Sequence, residues 1–465
     1  MIQKPTESAV AAPEALNGLA RTTYAERRAE VLRRMGPGVM ILRSNPEQTR
    51  SNDTSYPFRQ DSDFEYLTGF LEPDSVAVLT SAHAEHRFVL FVRPRDLEKE
   101  TWNGRRAGVE GAKALYGADA TFAIEELDAK LPGYLEGAGT LFFTPGIDHA
   151  FNARVEGWLA AMRRTRGRTG HGPHTRSEHG GIVHELRLFK TEEEAGLLRR
   201  ACQLSSEGHN AALAAARPGM MEHEVEALVD YTFRSRGARA AGYNSIVAGG
   251  ENATILHYTE NNMALRDGTL LLIDAGGEYE GYTADITRTF PVGSAFTPDQ
   301  RKVYDIVLQA QLAAIAQVRP GTRFDDVHRA ALEVLVDGLI GLGVLTGERD
   351  ELIAQKAFQP FYMHRTSHSL GLDVHDAGLY VDAAGKSRPL EPGMVLTVEP
   401  GLYFGDGVLE YDARWRGIGV RIEDDVLVTA SGHEVLSADA IKEPGAIEKV
   451  RAEAMAKGAR PVQPV

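Results

Sequence analysis

The sequence predicts an α/β (α+β) protein of two domains, the second built from two similar halves around one acidic site. Three observations carry that expectation. At 465 residues the chain is too long for one ordinary hydrophobic core. Helical and strand-like stretches alternate from Arg21 onward. Beyond Lys190, an apolar run ending in a carboxylate occurs twice, and Arg217-Pro-Gly and Arg319-Pro-Gly each lead into an acidic amphipathic stretch, about one hundred residues apart.

Taken in order, residues 1–20 are an Ala/Pro-rich stretch expected to be a flexible leader. Residues 21–185 form the first domain: an amphipathic helix over Arg21 to Arg34 (RTTYAERRAEVLRR), a strand over Gly38 to Leu42, and further strands at Ser75 to Thr80 and Arg87 to Val92, with helices between. Its turns carry no phosphate-binding glycine fingerprint. Between Arg163 and Gly181 the chain is dense in Arg, Gly and His without periodicity and reads as a surface loop near the domain junction. The second domain, residues 186–450, opens with a helix from about Lys190, and residues 451–465 read as a tail.

Composition narrows the function classes. A net charge of −14 with no dominant basic tract argues against a general nucleic-acid binder. The single cysteine, Cys202, rules out an intramolecular disulfide, and its place in a helical run (EEEAGLLRRACQLSSEGHNAAL) makes it a structural thiol in a reducing compartment. No basic start followed by an apolar stretch opens the chain, and no apolar run approaches the roughly 20 residues that cross a bilayer. A cytoplasmic protein without membrane contact is expected.

The chemistry lies in five residues. Leu270 to Asp274 (LLLID) is a buried strand delivering a carboxylate to a Gly-rich turn. Eleven residues on, Asp285 opens a strand-like run (DITRTF) in which Asp285, Thr287 and Thr289 share a face. Met394 to Glu399 (MVLTVE) repeats the first pattern, and GVRIEDDVLV places Glu423 inside another strand, with Arg421 two residues away on the same face. In MHRTSHSLGLDVHD three imidazoles, His364, His368 and His375, fall within twelve residues; His257 is a fourth in polar surroundings.

Four crowded carboxylates repel by roughly 4 kcal/mol per close pair at a moderate effective dielectric. Two divalent cations offset that charge, and oxygen ligands with one imidazole suit manganese, cobalt or zinc without singling out one.

Together NSIVAGGENATILHYTEN, LLIDAGGEYEGYTADITRTFPVG, HRTSHSLGLDVHDAG, LTVEPGLYF and GIGVRIEDDVLVT resemble the signature segments of the Xaa-Pro aminopeptidases, or aminopeptidase P, of the peptidase family with the pita-bread fold. In the first domain, NDTSYPFRQDSDFEYLTGFLEPDS resembles that family's N-terminal domain. The resemblance implies a C-terminal pita-bread domain with an internal pseudo-twofold repeat. It implies that Asp285 and Glu423 bridge two metals, manganese foremost, with Asp274 on one ion and His368 and Glu399 on the other. His257 and His375 would contact the scissile peptide and its oxyanion, His364 would line a proline pocket, and Arg421 and Tyr403 would lie near the substrate or support the metals. A homodimer or homotetramer is implied, in which Trp102 is a candidate contributor to a neighbouring subunit's active site. Glu65 and Ser369 stand where bulkier aromatics are common in relatives, which bears on the shape of the cleft.

The implied reaction releases the N-terminal residue of peptides with proline second, by attack of a metal-bridging hydroxide. An Xaa-Pro bond lacks the N–H that ordinary peptidases use, so a dedicated ring pocket supplies selectivity. A prolidase, confined to Xaa-Pro dipeptides, shares the fold and ligands and is the alternative. A non-catalytic binding protein of the same fold is the reading from another class, and the full ligand set argues against it.

Overall fold

The computed structural model describes residues 15–146, 148–406 and 411–456. The chain divides into two compact units, Met1–Arg187 and Leu188–Val465.

The first unit is built on a six-stranded mixed sheet in the order Thr175–Ser177, Thr140–Phe142, Gly38–Arg43, Val76–Thr80, Phe88–Val92, Ala120–Ala123. Val76–Thr80 and Phe88–Val92 are buried along their whole length, as continuous apolar runs require when helices cover both faces of a sheet. Val39, Ile41, Val78, Val89 and Phe91 join Leu131, Val155 and Trp158 in the core. The helix Arg21–Met35 buries two arginines, Arg27 and Arg28. Arg27 donates to Tyr66 O at 3.0 Å and Arg28 to Leu67 O at 2.9 Å, so both cations neutralise carbonyls at the C-terminal end of the helix Ser62–Thr68.

Three boundaries differ from the sequence expectation. Arg163 to Thr169 are not loop but the last turns of the helix His149–Thr169, because Asp148 caps its start by accepting from Phe151 N and the run that follows is long enough to continue. Of the expected leader, residues 15–20 form a small antiparallel pair, Ala15–Leu16 with Leu19–Ala20; residues 1–14 lie outside the described residues. Of the expected tail, residues 451–456 continue the helix Pro444–Ala456, held by Arg451, whose buried guanidinium donates to Leu213 O at 2.7 Å; residues 457–465 lie outside the described residues.

The second unit is a doubled pita-bread arrangement of helix pairs and antiparallel strands. In the first half, Glu192–Ala215 packs on Glu222–Ser235, followed by the antiparallel strands Ile246–Gly249, Leu270–Asp274 and Thr287–Pro291. In the second, Pro298–Ile315 packs on Phe324–Gly341, followed by Val395–Val398 paired with Asp424–Val428 and Gly401–Tyr403 paired with Gly419–Arg421. Each half begins with a capping box, Thr191 with Glu194 and Thr297 with Gln300, and each Arg-Pro-Gly turn leads into the second helix of its pair. Leu271, Ile273, Phe290, Val303, Leu335, Val398 and Ile422 meet in one core, so both halves share a single apolar interior.

Two strands near the acidic residues begin later than the sequence suggests. The third strand begins at Thr287, not Asp285, because the Asp285 N–H is taken by Asp425 Oδ2 at 2.9 Å. Glu423 is not inside a strand: it sits in the break between Gly419–Arg421 and Asp424–Val428, and its N–H donates to Thr287 O at 3.1 Å. That bond ties the two halves together.

Candidate metal centre

Register brings the first two carboxylates together. Asp274 ends its strand opposite Thr287 on one side and Ile246 on the other. The chain then turns through Ala275 and Gly276 and returns to Asp285. A Cβ on Gly276 would stand 1.7 Å from Ala284 O, so glycine alone allows the two backbones this close. The Tyr243 hydroxyl lies 2.6 Å from Oδ1 of both Asp274 and Asp285. Its one proton serves only one of them at a time.

The second half supplies the rest. Glu399 follows the strand Val395–Val398, and Thr397 N donates to His368 O at 3.0 Å while Glu399 N donates to Thr366 O at 2.8 Å. The irregular segment carrying His368 is thereby laid along that strand. His368 Nδ1 faces Ser369 O at 3.0 Å, and a carbonyl only accepts, so Nδ1 carries a proton and Nε2 points at Asp285 Oδ2 at 3.3 Å and Glu399 Oε1 at 3.6 Å. Thr287 Oγ1 donates to Glu423 Oε2 at 2.6 Å. One ligand atom from each of Asp285, His368 and Glu423 lies within 4.8 Å of the others.

Asp274, Asp285, Glu399, Glu423, His257, His364, His368, His375 and Arg421 all line one cavity of about 480 Å³. Tyr403 stands behind it: Arg421 Nη1 donates to the Tyr403 oxygen at 3.1 Å, and the Tyr403 hydroxyl faces His364 Nε2 at 2.8 Å. Because His364 Nδ1 donates to Arg365 O at 2.8 Å, Nε2 is left to accept from Tyr403. Burial and the nearby Arg421 charge hold His364 down at about 3, so it is neutral and fixed in one tautomer. His375 stands edge-on to His368, ring centroids 4.3 Å apart, and burial with that neighbour lowers its pKa. Trp102 is in the first unit, on the helix Leu97–Asn103, and is 82% exposed. Ser369 O anchors His368, and Ser369 N donates to the Tyr380 hydroxyl at 3.1 Å; Glu65 is buried in the helix Ser62–Thr68.

The charges do not balance within the protein. Burial and mutual repulsion push Glu423 well above the carboxylate range and Glu399 up to about 7; burial also raises Asp274, although Arg421 opposes this by donating from Nη2 to Asp274 Oδ2 at 2.6 Å. Burial would lower His368, yet Asp285 and Glu399 hold it up at about 9. Four carboxylates facing one guanidinium and one imidazole form a donor set that fits divalent cations, which would stabilise every carboxylate in its charged form.

Several contributors were not legible in the sequence. Tyr243 reads as part of a Gly-Tyr-Asn turn, and Asp425 as an ordinary strand residue. Asp425 Oδ2 accepts from both Asp285 N and Cys202 Sγ, at 2.9 and 3.1 Å. Burial with that carboxylate beside it pushes the Cys202 thiol well up, in keeping with a structural role. Ser367 Oγ is buried on the cavity wall with no partner among the described residues.

Residues 196–430 match the profile of metallopeptidase family M24, and residues 24–142 match the aminopeptidase P N-terminal domain. The chain is 45% identical over 435 residues to the Xaa-Pro aminopeptidase of Escherichia coli (strain K12), covering 93% of this chain and 98% of that protein. It superposes on the Pseudomonas aeruginosa aminopeptidase PepP with a TM-score of 0.91 at 43% identity, covering 94% of this chain and 99% of the other. Against zinc-substituted Escherichia coli aminopeptidase P in complex with product, the TM-score is 0.90 at 44% identity, with the same coverage.

Proposed function

Because the chain belongs to metallopeptidase family M24, among its Xaa-Pro aminopeptidases, we infer that it is a metal-dependent hydrolase that releases the first residue of peptides carrying proline second. The observation that carries the reading is the convergence of Asp285, His368 and Glu423 within 4.8 Å on the wall of an open, acidic cavity.

In this reading Asp285 and Glu423 would hold both of two divalent ions, Asp274 one of them, and His368 and Glu399 the other, with manganese as the proposed resident metal. When bound, such ions supply a hydroxide nucleophile at neutral pH and offset the charge of the carboxylates. The protein's own groups do the remainder. Thr287 orients Glu423 through its 2.6 Å bond, and Ser369 O fixes the His368 tautomer. His257 and His375 line the cavity, and in this reading they donate to the carbonyl oxygen as negative charge develops on it. Neutral His364, with Tyr403 and Arg421, lines the site for the proline ring; both its nitrogens are already engaged, so it shapes the pocket instead of moving protons.

A homodimer or homotetramer is part of the proposal, with exposed Trp102 reaching a neighbouring subunit, as is a cytoplasmic location. Among the described residues no helix is long and apolar enough to cross a membrane. Sedimentation of Trp102→Ala against the parent protein tests the subunit contact.

Chelator-stripped protein given manganese, cobalt or zinc in turn is expected to regain release of arginine from Arg-Pro-Pro. Cleavage of Arg-Pro but not of Arg-Pro-Pro would assign a prolidase instead. No cleavage with any ion, in folded protein, would favour a binding protein.

A further inference from the structure

We propose that the ion pair Lys190–Asp376 positions His375, the imidazole read above as a donor to the developing oxyanion; this rests on the aminopeptidase reading. Lys190 Nζ lies 2.8 Å from Asp376 Oδ2, across 186 residues of chain, and both side chains are 1% exposed. Neither residue lines the metal cavity, and neither is among the five residues placed on metal.

His375 has little support of its own. Its ring meets the His368 ring edge-on but takes part in no hydrogen bond among the described residues. It belongs to an irregular run, residues 370–376, that no helix or strand holds. The ring is therefore located by its backbone, and that backbone is fixed by the residue that follows it.

Asp376 is tied down on three sides. Its N–H donates to Ser369 O at 2.9 Å, Oδ1 accepts from Asp373 N at 3.4 Å, and Oδ2 faces the Lys190 ammonium. Ser369 O is the same carbonyl that accepts from His368 Nδ1, so the runs carrying both imidazoles are anchored on one atom. The other end of the pair is fixed as well: Lys190 N donates to Gly393 O at 2.8 Å, one residue before Thr191 caps the helix Glu192–Ala215. At Gly371 a Cβ would stand 2.2 Å from Asp376 Oδ2 and 3.0 Å from Lys190 Cε, so the run is folded closely around the pair.

Stability alone does not account for two buried charges. Desolvation offsets most of the attraction within such a pair, and neutral groups of similar volume commonly serve as well. What the pair adds is location: an ammonium held at its own backbone draws the carboxylate to one point, and His375 is the next residue. Misplacing a group that acts on the transition state by about 1 Å costs on the order of 10²-fold in rate.

The test is a cycle of variants in manganese-loaded full-length enzyme acting on Arg-Pro-Pro: Lys190→Met with Asp376→Asn, His375→Ala, and all three together. The paired replacement removes both charges while asparagine still accepts from Asp373 N, so the Tm and manganese affinity of the parent are expected. kcat is expected to fall about 10-fold or more, with KM within about 2-fold of the parent. In the His375→Ala background the same replacement is expected to change kcat by less than about 2-fold, because the group it positions is gone. Asp376→Asn alone, of the same shape, gives the same comparison if the paired variant does not fold. Unchanged kcat, losses that multiply in the triple variant, or a fall in manganese affinity matching the fall in kcat would overturn the positioning role and leave the aminopeptidase reading in place. A folded, manganese-loaded parent that does not cleave Arg-Pro-Pro would overturn that reading and this role with it.

Discussion

Arg421 donates from Nη2 to Asp274 Oδ2 at 2.6 Å, across 147 residues of chain, and joins the two halves of the second unit at the metal centre. The guanidinium is buried and has two further partners, Thr287 Oγ1 at 3.0 Å and the Tyr403 oxygen at 3.1 Å. Removing the cation leaves Asp274 buried without it. Arg421→Ala is expected to destabilise the metal-free protein by about 3 to 5 kcal/mol, read from urea unfolding. Arg421→Lys is expected to restore part of the stability but little of the kcat/KM, because a point charge cannot reach three partners in a plane. Full activity in the lysine variant would count against this account.

Tyr243 places one hydroxyl 2.6 Å from each of two carboxylates that would ligate metal. Tyr243→Phe is expected to weaken manganese binding by about 10- to 100-fold, as loss of a group that orients ligands does. Titration calorimetry on chelated protein gives the constant. An unchanged affinity would mean the hydroxyl merely fills space.

Gly276→Ala would bring a Cβ to 1.7 Å from Ala284 O and 3.2 Å from Asp285 N, forcing apart the backbones that bring Asp274 and Asp285 together. A loss of about 3 kcal/mol or more is expected, with activity falling further than stability alone explains. Gly157, exposed in a helix with no atom within 4 Å of a built Cβ, is the control: Gly157→Ala is expected to stabilise by up to about 1 kcal/mol. Equal Tm shifts in the two variants would refute the crowding argument.

His209 is buried in the helix Glu192–Ala215, its Nε2 donating to Ala275 O at 2.8 Å, and burial lowers it from 6.5 to about 4. The unfolded chain therefore binds a proton that the folded chain refuses between those two values. Its contribution is fully present above pH 6.5 and is lost as pH falls toward 4, by about 3 kcal/mol in all. His209→Gln keeps a donor without the titration, so its stability is expected to fall less steeply over that window. An identical slope in parent and variant, by denaturant unfolding at several pH values, would place the acid sensitivity elsewhere.

How legible each feature was depended on how local its cause is. Asp274 announces itself because LLLID is apolar up to the carboxylate and glycine follows, and Glu399 repeats the pattern; both runs are buried strands. The break at Glu423 was hidden, because GVRIEDDVLV alternates without interruption and the interruption comes from Thr287 O, in the other half, capturing the Glu423 N–H. Tyr243 was hidden for the same reason, since only the pairing of Ile246 with Asp274 brings its segment to the carboxylates. The helix through Thr169 is hidden because Arg163 to Gly181 is dense in Arg, Gly and His without periodicity; Gly167 is in open space, where glycine costs a helix only about 1 kcal/mol. Nothing local marks Trp102 as more than an exposed aromatic.

The bond from Glu423 N to Thr287 O has a consequence for how the protein comes to exist. Neither half holds a complete site: Asp274 and Asp285 precede the second helix pair, while His368, Glu399 and Glu423 follow it. Bringing together ligands this distant in sequence carries a loop-closure entropy that the packing of the two halves must offset. A chain emerging from the ribosome carries no ready peptidase until residue 423 has docked on the strand laid down 136 residues earlier.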